Sequence, residues 1–151
     1  MPPTIKIKKT NLKIITSEEG SVMHSLRKSE EDFFGFGESY FSTVEHNSIK
    51  AWKKHERMTL NLVVPIGSVL FNFIDYRDES GTFNKTYKIV LSQQPYRRLT
   101  VPPGIWFGFK GLGEGTNLIS NLASLVHDPS EMIRKDLAKI DVDWSKNVEI
   151  I

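Results

Sequence analysis

The chain contains no cysteine. Disulfides, thiolate metal sites and a cysteine nucleophile are therefore excluded. Long apolar runs are missing too, so no segment reads as a membrane-spanning helix of about 20 residues. Residues 1–20 lack the apolar centre of a signal peptide, and the expectation is a cytoplasmic protein. Charge of one sign is also scarce. Twenty Lys and Arg stand against 18 Asp and Glu, a net charge of +2. That balance gives no argument for a nucleic-acid or membrane-surface partner. Repeats, low-complexity tracts and internal linkers are absent, so residues 1–151 read as one domain long enough to bury a substantial core.

What the sequence has is β-strand pattern. Period-two alternation and Gly/Pro/Asn turns mark strands near residues 4–15, 22–27, 38–44, 48–64, 68–77, 82–91, 96–101, 105–110 and 117–125. Pro65-Ile66-Gly67 and Pro102-Pro103-Gly104 read as tight connections. The lysine-rich strand at 4–15 has an edge able to join a second copy, which predicts a homodimer. Near the C-terminus, Asp128 and Ser130 are candidate N-caps, and the apolar spacing over 131–137 predicts a short helix. Many short strands at roughly 8–12-residue spacing indicate an all-β barrel or sandwich of antiparallel strands.

One strand carries chemistry. Along Ala51-Trp52-Lys53-Lys54-His55, Lys53 and His55 fall on one face and Trp52 and Lys54 on the other. Two readings fit: a solvated edge strand, or a base and a cation side by side in a barrel mouth.

Three segments carry a resemblance. They are Ser42 through Ile49-Lys50-Ala51-Trp52-Lys53; Asp75-Tyr76-Arg77 with Ser80-Gly81-Thr82-Phe83 and Leu91-Ser92; and Leu99-Thr100-Val101-Pro102-Pro103-Gly104-Ile105-Trp106-Phe107-Gly108-Phe109. In that order they resemble the motifs of the cupin jelly-roll superfamily, and within it the dTDP-4-dehydrorhamnose 3,5-epimerase family. The resemblance implies a cupin barrel with a short C-terminal helix. It also implies a nucleotide-linked 4-keto-6-deoxy sugar as substrate, epimerised at C3, C5 or both in surface polysaccharide synthesis. The family's histidine base falls at Lys53, a second histidine at Phe107, a nucleotide-contacting arginine at Lys50 and the tyrosine acid near Asn121. In the related sugar-nucleotide 3,4-ketoisomerases a His-x-His pair lies on this strand, and His55 falls on its second member. The alternatives are therefore a ketoisomerase or a nucleotide-sugar binding module without catalysis.

On this reading His55 and Lys53 are the catalytic pair. A base must take the proton beside the keto group, and a donor or cation must hold the enolate. Histidine titrates near neutrality and suits the first task; a lysine ammonium suits the second. Lys53 itself is the alternative base if burial depresses its pKa. The substrate-binding set is Lys50, Glu38, Tyr40, Arg27, His24, Asn61, Arg98, Trp106 and Asn121. Within it Tyr40 and Trp106 are equally readable as core aromatics, and Arg97 and Arg98 alternate faces, so at most one points inward. Metal-binding cupins need ligands at the places of Lys53, His55, Thr59 or Leu60, and Phe107. One of those four is a ligand, so no metal and no cofactor are expected.

Overall fold

A computed structural model describes residues 6–77 and 84–145. Ser80 through Phe83 of the second resembling segment, and the first residues of the N-terminal strand, lie outside the described residues.

Twelve strands are present among the described residues. They are β1 (Lys8–Asn11), β2 (Ile14–Thr16), β3 (Ser21–Met23), β4 (Glu38–Thr43), β5 (Ile49–His55) and β6 (Leu60–Ile66). Then follow β7 (Ser68–Asp75), β8 (Thr86–Ser92), β9 (Arg97–Val101), β10 (Ile105–Gly111), β11 (Leu118–Ala123) and β12 (Met132–Arg134). Ten of them form two five-stranded sheets, ordered β1-β9-β6-β11-β4 and β12-β5-β10-β7-β8, and β2 and β3 make a hairpin. All pairings between named strands are antiparallel. This is the antiparallel all-β build that the strand spacing predicts, in the jelly-roll form that the resemblance implies.

The core lies between the sheets. Val69, Phe71 and Phe73 of β7 and Ile89 and Leu91 of β8 meet Leu62 and Val64 of β6 and Leu99 and Val101 of β9. Each of these side chains is buried, and together they supply the apolar burial that holds the sandwich closed. β7 is buried along nearly its whole length, because the C-terminal segment covers its outer face. Ile140 joins Trp52, Ile74 and Trp106 there, with Val142 and Trp144 packed against them. Trp144 passes close over Gly108, where an added Cβ would sit 3.0 Å from the indole and 2.5 Å from Ala51. Gly67, at φ +85°, makes the sharp turn from β6 into β7, a conformation few other residues adopt.

The C-terminal region differs from the expected helix over 131–137. A single 3-10 turn, Pro129–Glu131, leads into β12, and a second turn follows at Leu137–Lys139. Asp128 does cap the first turn, accepting from the Ser130 amide at 2.9 Å. The helix does not propagate because 132–134 gain ladder bonds by pairing with β5, and tertiary pairing overrides a weak local preference.

Candidate active site

Opposite the core, the two sheets part and leave a cavity of about 280 Å³. One wall is β5 and β12, contributing Lys50, Lys53, His55 and Arg134; the other is β4 and β11, contributing Glu38, Tyr40, Ser42 and Asn121. Met58, Leu60, Phe71, Phe107 and Ile119 form an apolar lining, and His127 also reaches the cavity.

A β-bulge sets which side chains of β5 face inward. Phe107 pairs with Lys53, but the next residue, Gly108, pairs with Ala51. The strand therefore has two residues against one of β10, which breaks strict alternation. Lys50 and Lys53 both line the cavity as a result, although their spacing would put them on opposite faces. Trp52, between them, is turned to the outer face and fully buried there. Its amide donates to the Lys135 carbonyl at 3.0 Å. Lys54 also points outward, with its ammonium 5.3 Å from the centre of the Trp106 ring.

His55 is buried at the cavity floor, and its Nδ1 is held by Glu131 Oε1 in a short hydrogen bond. The other Glu131 oxygen accepts from the Arg57 amide at 3.1 Å and the Met58 amide at 3.2 Å. Burial alone would push the Glu131 carboxyl up. The bonds from His55 and those two amides outweigh it and hold the carboxyl below its ordinary value. An ionised carboxylate only accepts, so Nδ1 of His55 is the donor, and in the neutral ring Nε2 is the nitrogen that carries the lone pair. The ring stacks against Phe107, with centroids 6.1 Å apart and planes 20° apart. A histidine so oriented by a carboxylate can act chemically as a proton acceptor.

The cations are arranged differently. In the β5–β12 pairing Arg134 lies directly opposite Lys53, a like-charge juxtaposition that costs stability. Among the described residues no carboxylate is paired with Lys53. Burial, with Arg134 and Lys50 adding to it, pushes the Lys53 ammonium below its ordinary pKa. Lys50 Nζ donates to the Thr43 carbonyl at 2.7 Å. On the facing wall Asn121 Nδ2 donates to the Tyr40 hydroxyl at 2.9 Å.

Six of the sequence candidates thus meet in one place: His55, Lys53, Lys50, Glu38, Tyr40 and Asn121. Five do not. Trp106 is buried on the outer face of its sheet with Trp52 and Ile74. Asn61 is buried, donating to the Asp32 carbonyl and accepting from Thr100. Arg98 is fully buried on the outer side of the other sheet, bound to Glu30, Asp32 and the Ser25 carbonyl. Near it, His24 accepts at its carbonyl from Tyr96, and Arg27 is exposed. Their sequence positions near the nucleotide-contact segment do not bring them into the cavity. Asp75 and Arg77, from the second resembling segment, form an ion pair with each other at 2.9 Å. Glu131 and Arg134 went unnoticed in the sequence, since both lay in the stretch read as a helix. Among the described residues no cluster of three metal-ligating side chains occurs.

Two facing antiparallel sheets with a basic cavity and a buried His–Glu pair define a jelly-roll cupin equipped for proton transfer. A family model described as dTDP-4-dehydrorhamnose 3,5-epimerase matches residues 46–151, and the chain belongs to that family. A solved dTDP sugar isomerase from Desulfovibrio desulfuricans is 33% identical and superimposes with a TM-score of 0.87, covering 95% of this chain and 93% of that one. The probable low-salt glycan biosynthesis epimerase Agl13 of Haloferax volcanii is 23% identical over 98% of this chain and 99% of its own length. The spore coat polysaccharide biosynthesis protein SpsL of Bacillus subtilis is 24% identical over 93% of this chain and 95% of its own.

Proposed function

We propose that this protein epimerises a nucleotide-linked 4-keto-6-deoxy sugar at C3, C5 or both, without a metal, in the synthesis of a surface polysaccharide. The observation that carries the reading is the buried His55–Glu131 pair opening onto a cavity rimmed by Lys50, Lys53 and Arg134. His55 Nε2 removes the proton beside the keto group. Lys53, short of a counter-charge, stabilises the oxyanion of the enolate more strongly than it stabilises the neutral ketone, which is what lowers a barrier. Lys50 and Arg134, which line the cavity, meet the diphosphate of the nucleotide on this reading. Arginine grips phosphate through two parallel bonds, whereas lysine acts as a point charge.

The protein acts in the cytoplasm as a homodimer on this reading. Support for the second copy comes from β4, an edge strand of its sheet. Phe41 on it is 67% exposed, and Phe36 just before it is 62% exposed. Exposed aromatics beside an unpaired strand edge suit association.

The test is incubation with dTDP-4-keto-6-deoxyglucose in deuterated water. Deuterium entering C3 or C5 is the expected result. A carbonyl moved from C4 to C3 means a ketoisomerase, and binding without any change means a module that has no catalysis.

A further inference from the structure

The two walls of the cavity differ in polarity. Lys50, Lys53 and Arg134 stand on the β5–β12 side, and Glu38 and Asn121 on the β4–β11 side. Glu38 is half-buried, and among the described residues no cation or donor is bonded to its carboxylate. Asn121 is 3% exposed; its Nδ2 is taken up by Tyr40, and its Oδ1 has no hydrogen-bond partner among the described residues. A buried acceptor without a donor costs stability, and a donor on a ligand removes that cost.

The strand register brings the two acceptors together. Glu38 pairs with Ala123, and Tyr40 with Asn121, across the β4–β11 ladder. Glu38 and Asn121 are therefore diagonal neighbours on one face, at a spacing of about 7–8 Å. Donors on one sugar carbon and its neighbour span that gap with hydrogen bonds of about 2.7–3.0 Å. We propose, building on the epimerase reading, that Glu38 and Asn121 select the sugar by the hydrogen-bond donor it carries at C2, a hydroxyl or an amino group.

The chemistry of the substrate singles out C2. C1 carries the nucleotide, C4 is the carbonyl, and C6 is a methyl with nothing to donate. C3 and C5 are the carbons whose configuration changes, so a grip on the C3 hydroxyl is lost as that carbon inverts. C2 keeps its substituent throughout, and a contact there holds substrate, enolate and product alike. The Glu38 carboxylate also sorts the two ends of the ligand. It repels a diphosphate, and it accepts from an O–H or N–H in a charge-assisted bond. The diphosphate is thereby kept to the cationic wall while the C2 edge of the sugar turns toward β4.

The test compares three dTDP-linked 4-keto-6-deoxy sugars that differ only at C2, where they carry a hydroxyl, an amino group or hydrogen. Each is followed by deuterium wash-in with the full chain. The better of the two donor sugars should exceed the 2-deoxy sugar roughly ten- to a hundredfold in kcat/KM, and which of the two leads names the donor. Glu38→Ala should lose that preference and treat the donor and 2-deoxy sugars nearly alike, with its melting temperature unchanged. Glu38→Gln, which keeps an acceptor, should regain part of it. A wild type that exchanges the 2-deoxy sugar as fast as the donor sugars overturns the proposal and leaves the epimerase reading standing. So does a preference that survives Glu38→Ala in full. A wild type that exchanges none of the three overturns the epimerase reading, and this selection with it.

Discussion

Arg98 and Lys53 are cations withdrawn from water on opposite sheets, and their surroundings could hardly differ more. Arg98 meets Glu30 at 2.7 Å and Asp32 at 2.9 Å, and Lys8 reaches the same Asp32 at 3.1 Å. Its charge is neutralised inside the protein, and its work is to pin residues 24–32 onto the sheet. Lys53 meets other cations instead, Arg134 across the ladder and Lys50 beside it. Folding alone gains nothing from that arrangement. On the proposed function, that charge is what meets the anionic diphosphate or enolate of the substrate.

Breaking the paired side should give the largest effect on the fold. Arg98→Ala removes the guanidinium and leaves the buried Asp32 carboxylate with a weaker set of partners. It should cost about 3–5 kcal/mol, read by urea denaturation, while the folded fraction keeps its kcat.

On the cavity side the expected losses are in rate. Glu131→Gln frees the tautomer of His55, because a carboxamide can donate as well as accept. The rate should fall about a hundredfold or more. Stability should also change with pH in a defined sense. Glu131 sits below its ordinary value in the folded protein, so its contribution is present above the unfolded carboxyl pKa and is lost as pH falls through the folded one. Wild type and Glu131→Gln should therefore differ in melting temperature at neutral pH and converge in acid.

Lys53→Met should slow epimerisation tenfold or more but leave the melting temperature equal or higher at neutral pH. The sign follows from its depressed pKa. The unfolded chain binds the Lys53 proton more tightly, so wild-type stability gains as pH rises from the folded pKa to the ordinary lysine value of 10.5. The variant should lack that gain. A Lys53→Met protein that unfolds at neutral pH would put Lys53 with Arg98 as a structural cation. Arg134→Gln should have the smallest effect, a several-fold rise in Kd for dTDP with a weaker salt dependence by titration calorimetry.

The barrel was legible in the sequence because period-two burial is a local property. Between residues 38 and 125 the strands fall within a few residues of their expected places except one: the strand expected over 48–64 is two, β5 and β6, which lie in different sheets. The shared cavity wall of Glu38, Tyr40 and Ser42 was legible for the same reason. Lys50 joins Lys53 only through the bulge opposite Phe107, and a bulge has no signature in Ile49-Lys50-Ala51-Trp52-Lys53. Glu131 escaped notice because its partner His55 is 76 residues earlier. An acidic residue three positions after Asp128 looks like part of a helix cap. Arg98 and Asn61 carry the polar side chains expected of a binding site. What they bind is the protein's own loop, and nothing local distinguishes the two.

The account rests on His55 as the base. The direct measurement is solvent deuterium entering C3 or C5 of dTDP-4-keto-6-deoxyglucose, followed by proton NMR for the wild type and His55→Asn. Asparagine keeps some hydrogen bonding to Glu131 and removes the base, with melting temperature and dTDP affinity as controls. The prediction is wash-in by the wild type and a rate at least a hundredfold lower in the variant. A folded His55→Asn protein that exchanges as fast as the wild type would contradict it, and Lys53 would then be the base.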